Sequence, residues 1–271
     1  MNDTSIIGII PAGGIASRLG PLPCSKELLP IGSASGQPVP VSTRLVQAYV
    51  NAGAESISWI LRPGKWDIPA YFGSGLKWGV HMDYSVMEYP YGPPFTLNEA
   101  WNLFRGRTVL LGFPDILLNE SDPFSPLVKM IQTGDRDVAL GIVEAPDPRA
   151  VDVVVMEPDN RISRIIPKPP DGQIKKAWIW AAWSPDFSAF LHSFIGRKLA
   201  DLGPQPVPVE SVPEIHVGHV IDAFIREGGR VGGIEFPHVR FLDIGTPENW
   251  GRASQFLKSH DAGGSFMGAE S

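Results

Sequence analysis

Cysteine is nearly absent from the 271 residues: Cys24 is the single thiol, so no disulfide can form within the chain, and a reducing, cytoplasmic setting is expected. No activating partner for Cys24 is evident, which argues against a catalytic thiol. An excess of positive charge is lacking too. Lys and Arg number 23 against 29 Asp and Glu, a formal net charge of −6, which argues against a surface for a nucleic-acid polymer. A nucleotide stays open as a partner, because one local group of Arg and Lys suffices for a single polyphosphate. Long apolar runs are missing as well. The run from Ile6 to Pro11 is too short for a membrane span, and Met1-Asn2-Asp3-Thr4 ahead of it has no basic segment of the signal-peptide kind, so no membrane partner is expected. There is no internal repeat, Walker A loop, Gly-x-Gly-x-x-Gly fingerprint or Gly-x-Ser-x-Gly elbow.

What is present is an α/β pattern. Hydrophobic residues make up 43% of the chain, enough for a large core, and 27 prolines and 29 glycines without a period mark many loops. Short apolar runs at 5–11, 56–61 and 108–112 read as buried strands, and 80–86 as an alternating one. Helical spacing falls at 41–52, 66–72 and 97–104, so the first half alternates strand and helix, which implies a mostly parallel sheet covered on both faces. From 136 on, strands crowd together at 138–143, 151–156, 161–166 and 177–182, followed by helices at 187–199 and 213–227 and strands at 231–236 and 239–242. Thr246-Pro247 reads as an N-cap and first-position proline opening a last helix. No linker separates the halves. The Gly-, Ser- and Ala-rich tail over 259–271 reads as frayed.

Chemistry concentrates at a few points. After the first strand comes Pro11-Ala12-Gly13-Gly14-Ile15-Ala16-Ser17-Arg18-Leu19, where small residues let backbone N–H groups approach an anion. Ser25-Lys26-Glu27-Leu28-Leu29-Pro30 follows, adding a mobile point charge to the planar fork of Arg18. Singly, Arg18 and Lys26 read as surface residues; in this order they read as a polyphosphate grip. Asp115, in Gly112-Phe113-Pro114-Asp115, lies just past a buried strand, where open α/β sheets place their ligands.

These segments resemble the sugar-phosphate nucleotidyltransferases, among them the glucose-1-phosphate thymidylyl- and uridylyltransferases and the mannose-1-phosphate guanylyltransferases. Their pattern is Ala-Gly-Gly, three residues, Arg-Leu, and then Lys-x-Leu-Leu-Pro, and the likeness extends to about Gln255. It implies a Rossmann-like three-layer sandwich with a mostly parallel mixed sheet. It also implies one domain over 1–258, with a nucleotide-binding half to 135 and an acceptor-binding half from 136. By the same resemblance, Ala12, Gly13, Gly14, Arg18 and Lys26 hold a nucleoside triphosphate, and Arg18 and Lys26 act in catalysis. Asp115 and Asp243, the latter in Phe241-Leu242-Asp243-Ile244-Gly245-Thr246-Pro247-Glu248, hold Mg²⁺. Lys168, in Pro167-Lys168-Pro169, holds the phosphate of the acceptor, and Val151 and Asp152 flank the acceptor where the family has Tyr-Gly. Met87 and Gly92 lie where the family reads the base.

Several positions depart from the family. Ala16 replaces a glycine and the interval from Arg18 to Lys26 is short, which points to a different loop path. Pro114 precedes Asp115, Pro167 replaces a glutamate that contacts a sugar hydroxyl, and Met87 replaces a glutamine that reads the base. The implied reaction is in-line attack by the acceptor phosphate on the nucleotide α-phosphorus, releasing pyrophosphate without a general base. Two alternatives stand beside transfer to a sugar 1-phosphate: a phosphocholine- or phosphonate-like acceptor, or a catalytically silent nucleotide-sugar-binding subunit. Oligomeric state, homo-oligomers included, stays open. Glu214, His216 and His219 read as ordinary residues of the 213–227 helix, and Trp178, Trp180 and Trp183 as one face of a strand, packed or lining the acceptor pocket. The substitution at Met87 carries a prediction. With an apolar contact in place of a base-reading amide, several nucleoside triphosphates should be used, with specificity constants within about a thousandfold of one another. A matrix of nucleotides against acceptors measures this, and one nucleotide preferred beyond that range shows that another residue reads the base.

Overall fold

A computed structural model describes residues 4–32, 37–204 and 206–261. Strand β1 (Ile6–Ala12) lies at the centre, and the chain continues through β2 (Pro30–Ile31) and β3 (Val39–Pro40), helix α1 (Thr43–Asn51), β4 (Ser56–Leu61), α2 (Asp67–Phe72) and β5 (His81–Val86). Two short helices, α3 (Pro93–Asn98) and α4 (Trp101–Phe104), lead to β6 (Thr108–Leu111), β7 (Ile116–Leu118) and α5 (Ser125–Gln132). The second half comprises β8 (Val138–Glu144), β9 (Asp152–Met156), β10 (Ile162–Pro167), β11 (Lys176–Trp183), α6 (Pro185–Leu202), α7 (Val217–Arg226), β12 (Val231–Glu235), β13 (Phe241–Asp243) and α8 (Pro247–Asp261).

One nine-stranded mixed sheet runs through both halves in the order β10-β9-β11-β6-β1-β4-β5, with β8 beside β11 and β12 beside β8. β6, β1, β4 and β5 are mutually parallel, and β11 joins β6 antiparallel. The side-chain period of two explains why β1 is apolar throughout. Ile7 and Ile9 enter the core beneath α3, α6 and α7, whereas Ile6 and Ile10 enter the core beneath α1 and α5. The expected mixed sheet with helices on both faces is therefore found. A third apolar cluster seats α8 on the loop after β1, joining Leu19 and Leu29 to Ala253 and Leu257.

Some expectations are corrected. The helix expected over 97–104 is two short ones. α3 begins earlier, at Pro93, and past it the Glu99 carboxylate turns back to accept from the Glu88 and Tyr89 N–H groups, at 2.9 and 3.2 Å. The helix expected from 213 starts only at Val217, with His216 as an extended N-cap; its N–H donates to His219 Nδ1 at 3.0 Å. A register shift between Trp178 and Trp180 breaks the alternation of β11, so Trp180 joins the α5 side while Trp178 and Trp183 join the α6 side. Helix α5 carried no expectation, although Leu127, Val128 and Ile131 are buried at helical spacing. The tail expected to fray from 259 is helical to Asp261, and 262–271 lie outside the described residues.

In the central strand Gly8 packs tightly beneath Tyr49, whose hydroxyl donates to the Ile9 carbonyl at 2.8 Å. A Cβ at Gly8 would fall 2.2 Å from the Tyr49 ring, which is fully buried and has no room to move. Gly8→Ala is therefore expected to destabilise by about 1–3 kcal/mol through overpacking. Denaturant unfolding measures it, and an unchanged midpoint would mean that Tyr49 is free to shift.

Candidate active site

Parallel strands deliver their C-terminal ends to one edge, and β1 lies between β6 and β4 there. The loops leaving these three strands carry Gly13 and Gly14, Phe113 to Asp115, and Arg62 to Asp67. The first loop turns sharply. Ala16 adopts a left-handed conformation, φ 55°, which costs a residue with a Cβ about 1–2 kcal/mol where glycine is free to adopt it. A short 3₁₀ turn follows and projects Arg18 into solvent, its side chain 67% exposed. A second 3₁₀ turn opens on Lys26.

Four predicted charges meet at this edge. Lys26 Nζ lies 2.5 Å from Asp115 Oδ2, both side chains largely buried, and Arg18 lies 3.6 Å from Asp243 Oδ2. Burial alone would lower the Lys26 pKa, but the adjacent Asp115 carboxylate outweighs it and holds the ammonium above its ordinary value. The two aspartates, distant in sequence, meet because β13 pairs with β7, placing Asp243 opposite Ile116, while the Ile244 N–H donates to the Asp115 carbonyl at 3.0 Å. Gly245 N–H holds Asp243 Oδ1 at 2.7 Å. Gly14 faces Lys26, since a Cβ there would lie 3.2 Å from Nζ.

The other predicted residues fall into two places. A cavity of about 290 Å³ extends from Asp115 and Asp243 to Val151, Asp152 and Lys168. Pro167 and Asp152 face each other across the β9–β10 ladder, and Lys168 just beyond is left-handed, with φ 42°. Asp152 Oδ2 accepts from the Gly218 N–H at 3.2 Å, at the start of α7. A Cβ at Gly218 would clash with Asp152 Oδ2, so glycine is what lets the helix approach. Burial pushes the Asp152 carboxyl up. Met87 is buried beside Gly13, its sulfur 2.8 Å from where a Gly13 Cβ would stand. Ala12 is buried at the end of β1. Gly92 has φ 121°, and a Cβ there would lie 2.6 Å from the Ile215 carbonyl oxygen, a backbone approach that requires glycine whatever else it admits.

The same cavity holds Trp178, for which lining a pocket was one expectation, and residues to which the sequence assigned no chemistry: Phe113, Glu214 and His216. His216 lies just ahead of the helix expected to contain it. As the α7 N-cap it stacks on His219 at 5.4 Å and lies 3.7 Å from Glu214, and burial followed by Lys168 holds it below the ordinary histidine value. Histidine is not among the residues that favour an N-cap, so no local signal marked this position. A smaller apolar groove, of about 240 Å³, lies by α1 and Trp78.

Set against known proteins, the chain matches the family model for nucleotidyl transferases over residues 7–189. It is similar to a mannose-1-phosphate guanylyltransferase of Mycobacterium tuberculosis, 25% identical over 256 residues, covering 92% of this chain and 64% of the relative. It is also similar to a glucose-1-phosphate thymidylyltransferase of Actinoplanes sp., 26% identical, covering 94% of this chain and 79% of that one. Among solved structures, a protein of Bacillus anthracis described as a glucose-1-phosphate thymidylyltransferase superposes with a TM-score of 0.78 at 20% identity, covering 97% of this chain and 98% of the other. A UDP-glucose pyrophosphorylase solved with UDP-glucose gives a TM-score of 0.75 at 17% identity, covering 94% and 99%. The fold is the α/β fold of these solved structures. The chain belongs to the nucleotidyl transferase family.

Arg18 is exposed and pairs loosely with Asp243, so Arg18→Ala should leave the melting temperature nearly unchanged, an exposed pair contributing about 0–1 kcal/mol. Turnover should fall about 10²–10³-fold, as for loss of one preorganised donor to developing charge. Thermal unfolding and single-turnover assays separate the two, and a variant that unfolds yet is fully active per folded molecule makes Arg18 structural.

Proposed function

We propose that the protein transfers a nucleoside monophosphate from a nucleoside triphosphate to a sugar 1-phosphate, releasing pyrophosphate. The observation that carries this is one cavity with two chemically distinct ends. At one end Asp115 and Asp243 line it, paired with Lys26, which lies beside Gly14, and with Arg18; at the other Lys168 stands with Asp152 and His216. A triphosphate laid over the turn meets the backbone N–H groups of Gly13 and Gly14 and the cations Arg18 and Lys26. Lys168 holds the acceptor phosphate, which is already anionic at neutral pH and attacks the α-phosphorus without a base. Asp152 and the neutral imidazole of His216 are left to hydrogen-bond the hydroxyl groups of the acceptor. The protein then works as a domain over residues 1–258, in a cytoplasmic setting.

The donor set at the triphosphate end fits Mg²⁺. Asp115 uses Oδ2 for Lys26, and Asp243 uses Oδ1 for Gly245 while its Oδ2 faces Arg18 at 3.6 Å, so Asp115 Oδ1 and, once Arg18 turns away, Asp243 Oδ2 are the hard oxygens for a cation. Among the described residues no third acid, histidine or cysteine completes a cluster, so substrate phosphates and water supply the remaining ligands. Bound there, the ion supplies neutralisation of phosphate charge. When substrate arrives, Lys26 and Arg18 turn from the aspartates to the phosphates, so the pairs seen here hold the side chains in reach.

Pyrophosphate release from a panel of nucleoside triphosphates and sugar 1-phosphates tests the reading. Asp115→Asn and Asp243→Asn should each lower turnover by about 10²–10³-fold, by analogy with removing a preorganised charge-stabilising group, with the fold retained by circular dichroism. Full activity of both variants in excess chelator ends the metal assignment. Turnover with phosphocholine but with no sugar phosphate ends the acceptor assignment.

A further inference from the structure

Behind the substrate face lies a group of charges that the proposed reaction does not use. Glu27 is fully buried: its Oε1 accepts from Lys65 Nζ at 2.6 Å, and its Oε2 has no partner. A buried ion pair with one oxygen unsatisfied is a poor device for stability, because desolvating two charges costs several kcal/mol per ion and an apolar pair of like volume does as well or better. Burial pushes the Glu27 carboxyl up and the Lys65 ammonium down, as expected where neither charge is well solvated. The arrangement calls for an explanation other than stability.

Two neighbours of Lys65 reach the same loop. Arg62 Nε donates to the Gly13 carbonyl at 2.8 Å, and Asp67 accepts from Ser25 N–H at 2.7 Å and from Ser25 Oγ at 2.6 Å. The segment after β4 therefore grips both strands of the phosphate loop, at Gly13 on one side and at Ser25 and Glu27 on the other. Lys26 lies between two anchored residues, and its own side chain is the remaining freedom. The Glu27 carbonyl is held besides by Ser42 Oγ at 2.7 Å. The distance from Gly14 to Lys26, which a triphosphate must bridge, is set by these contacts.

We infer that Arg62, Lys65 and Asp67 are positioning residues: a frame, centred on the Glu27–Lys65 pair, that holds Gly13-Gly14 and Lys26 at the separation a triphosphate requires. None of the three has to touch substrate. The inference rests on the proposed nucleotidyl transfer for its kinetic readout, and on phosphate binding alone for its second.

Two variants test it. Glu27→Gln/Lys65→Met removes both charges together and strands neither; Asp67→Asn weakens the joint at Ser25, nearer the surface. Assayed well below their melting temperatures, each should raise the KM for the nucleotide and lower kcat, together by about 10–100-fold, while the KM for the acceptor changes less than about twofold, as a misplaced but present Lys26 demands. Variants that melt earlier but show wild-type kcat and both KM values overturn the frame and make the contacts ordinary loop staples. If the double variant does not fold, Asp67→Asn alone decides. Calorimetric titration with inorganic tripolyphosphate separates this inference from the functional one. Weaker binding by the variants supports the frame even when the wild type turns over no nucleotide, which would sink only the transfer reading. Equal binding overturns it.

Discussion

The parallel placement of β1 between β6 and β4 is the constraint on which the site depends. Its register, with Ile9 beside Leu111 and Ser58, ends three strands at one edge and forces their loops to share it. The glycines follow from that crowding, since the loop after β1 must pass close to Met87 and Lys26 and has no volume for side chains. The second half adds to the sheet through β11, so the strands that carry Asp152 and Lys168 arrive from the opposite side and close the cavity.

Charge at the site is arranged in matched pairs of unequal mobility. Lys26 and Asp115 are 17% and 16% exposed and anchored on both sides, whereas Arg18 and Asp243 are 67% and 45% exposed and sit 3.6 Å apart. The inner pair is held more closely than the outer one. Such a gradient suits a ligand that enters from solvent and must be gripped last at its outer end.

How far this was legible in the sequence depended on whether the information was local. Uniformly apolar runs such as Ser56–Leu61 announced buried parallel strands, and the Gly-Gly, Arg and Lys order marked the loop, because both signals are local along the chain. Contacts between distant residues were not legible. The partners of Arg62, Lys65 and Asp67 lie 49, 38 and 42 residues away, and nothing in Arg62-Pro63-Gly64-Lys65 alone points to them. Periodicity misled at Trp180, where a bulge reverses the face, and at His216, where helical spacing continued past the true N-cap. Pro167 and Asp152 read as two separate departures from the family pattern, yet they are one facing pair of a strand ladder.

The close backbone approach of Gly92 and Ile215 ties the two ends of the cavity mechanically. Residues 87–92 pass beside Gly13, and 213–216 carry Glu214 and His216 at the Lys168 end of the cavity, and they approach main chain to main chain, without a side chain to act as a cushion. Neither segment can therefore be exchanged or lengthened alone. A graft of the 213–216 loop from a relative would have to bring its own counterpart of Gly92, so that on the proposed reaction donor and acceptor selectivity are inherited as one module.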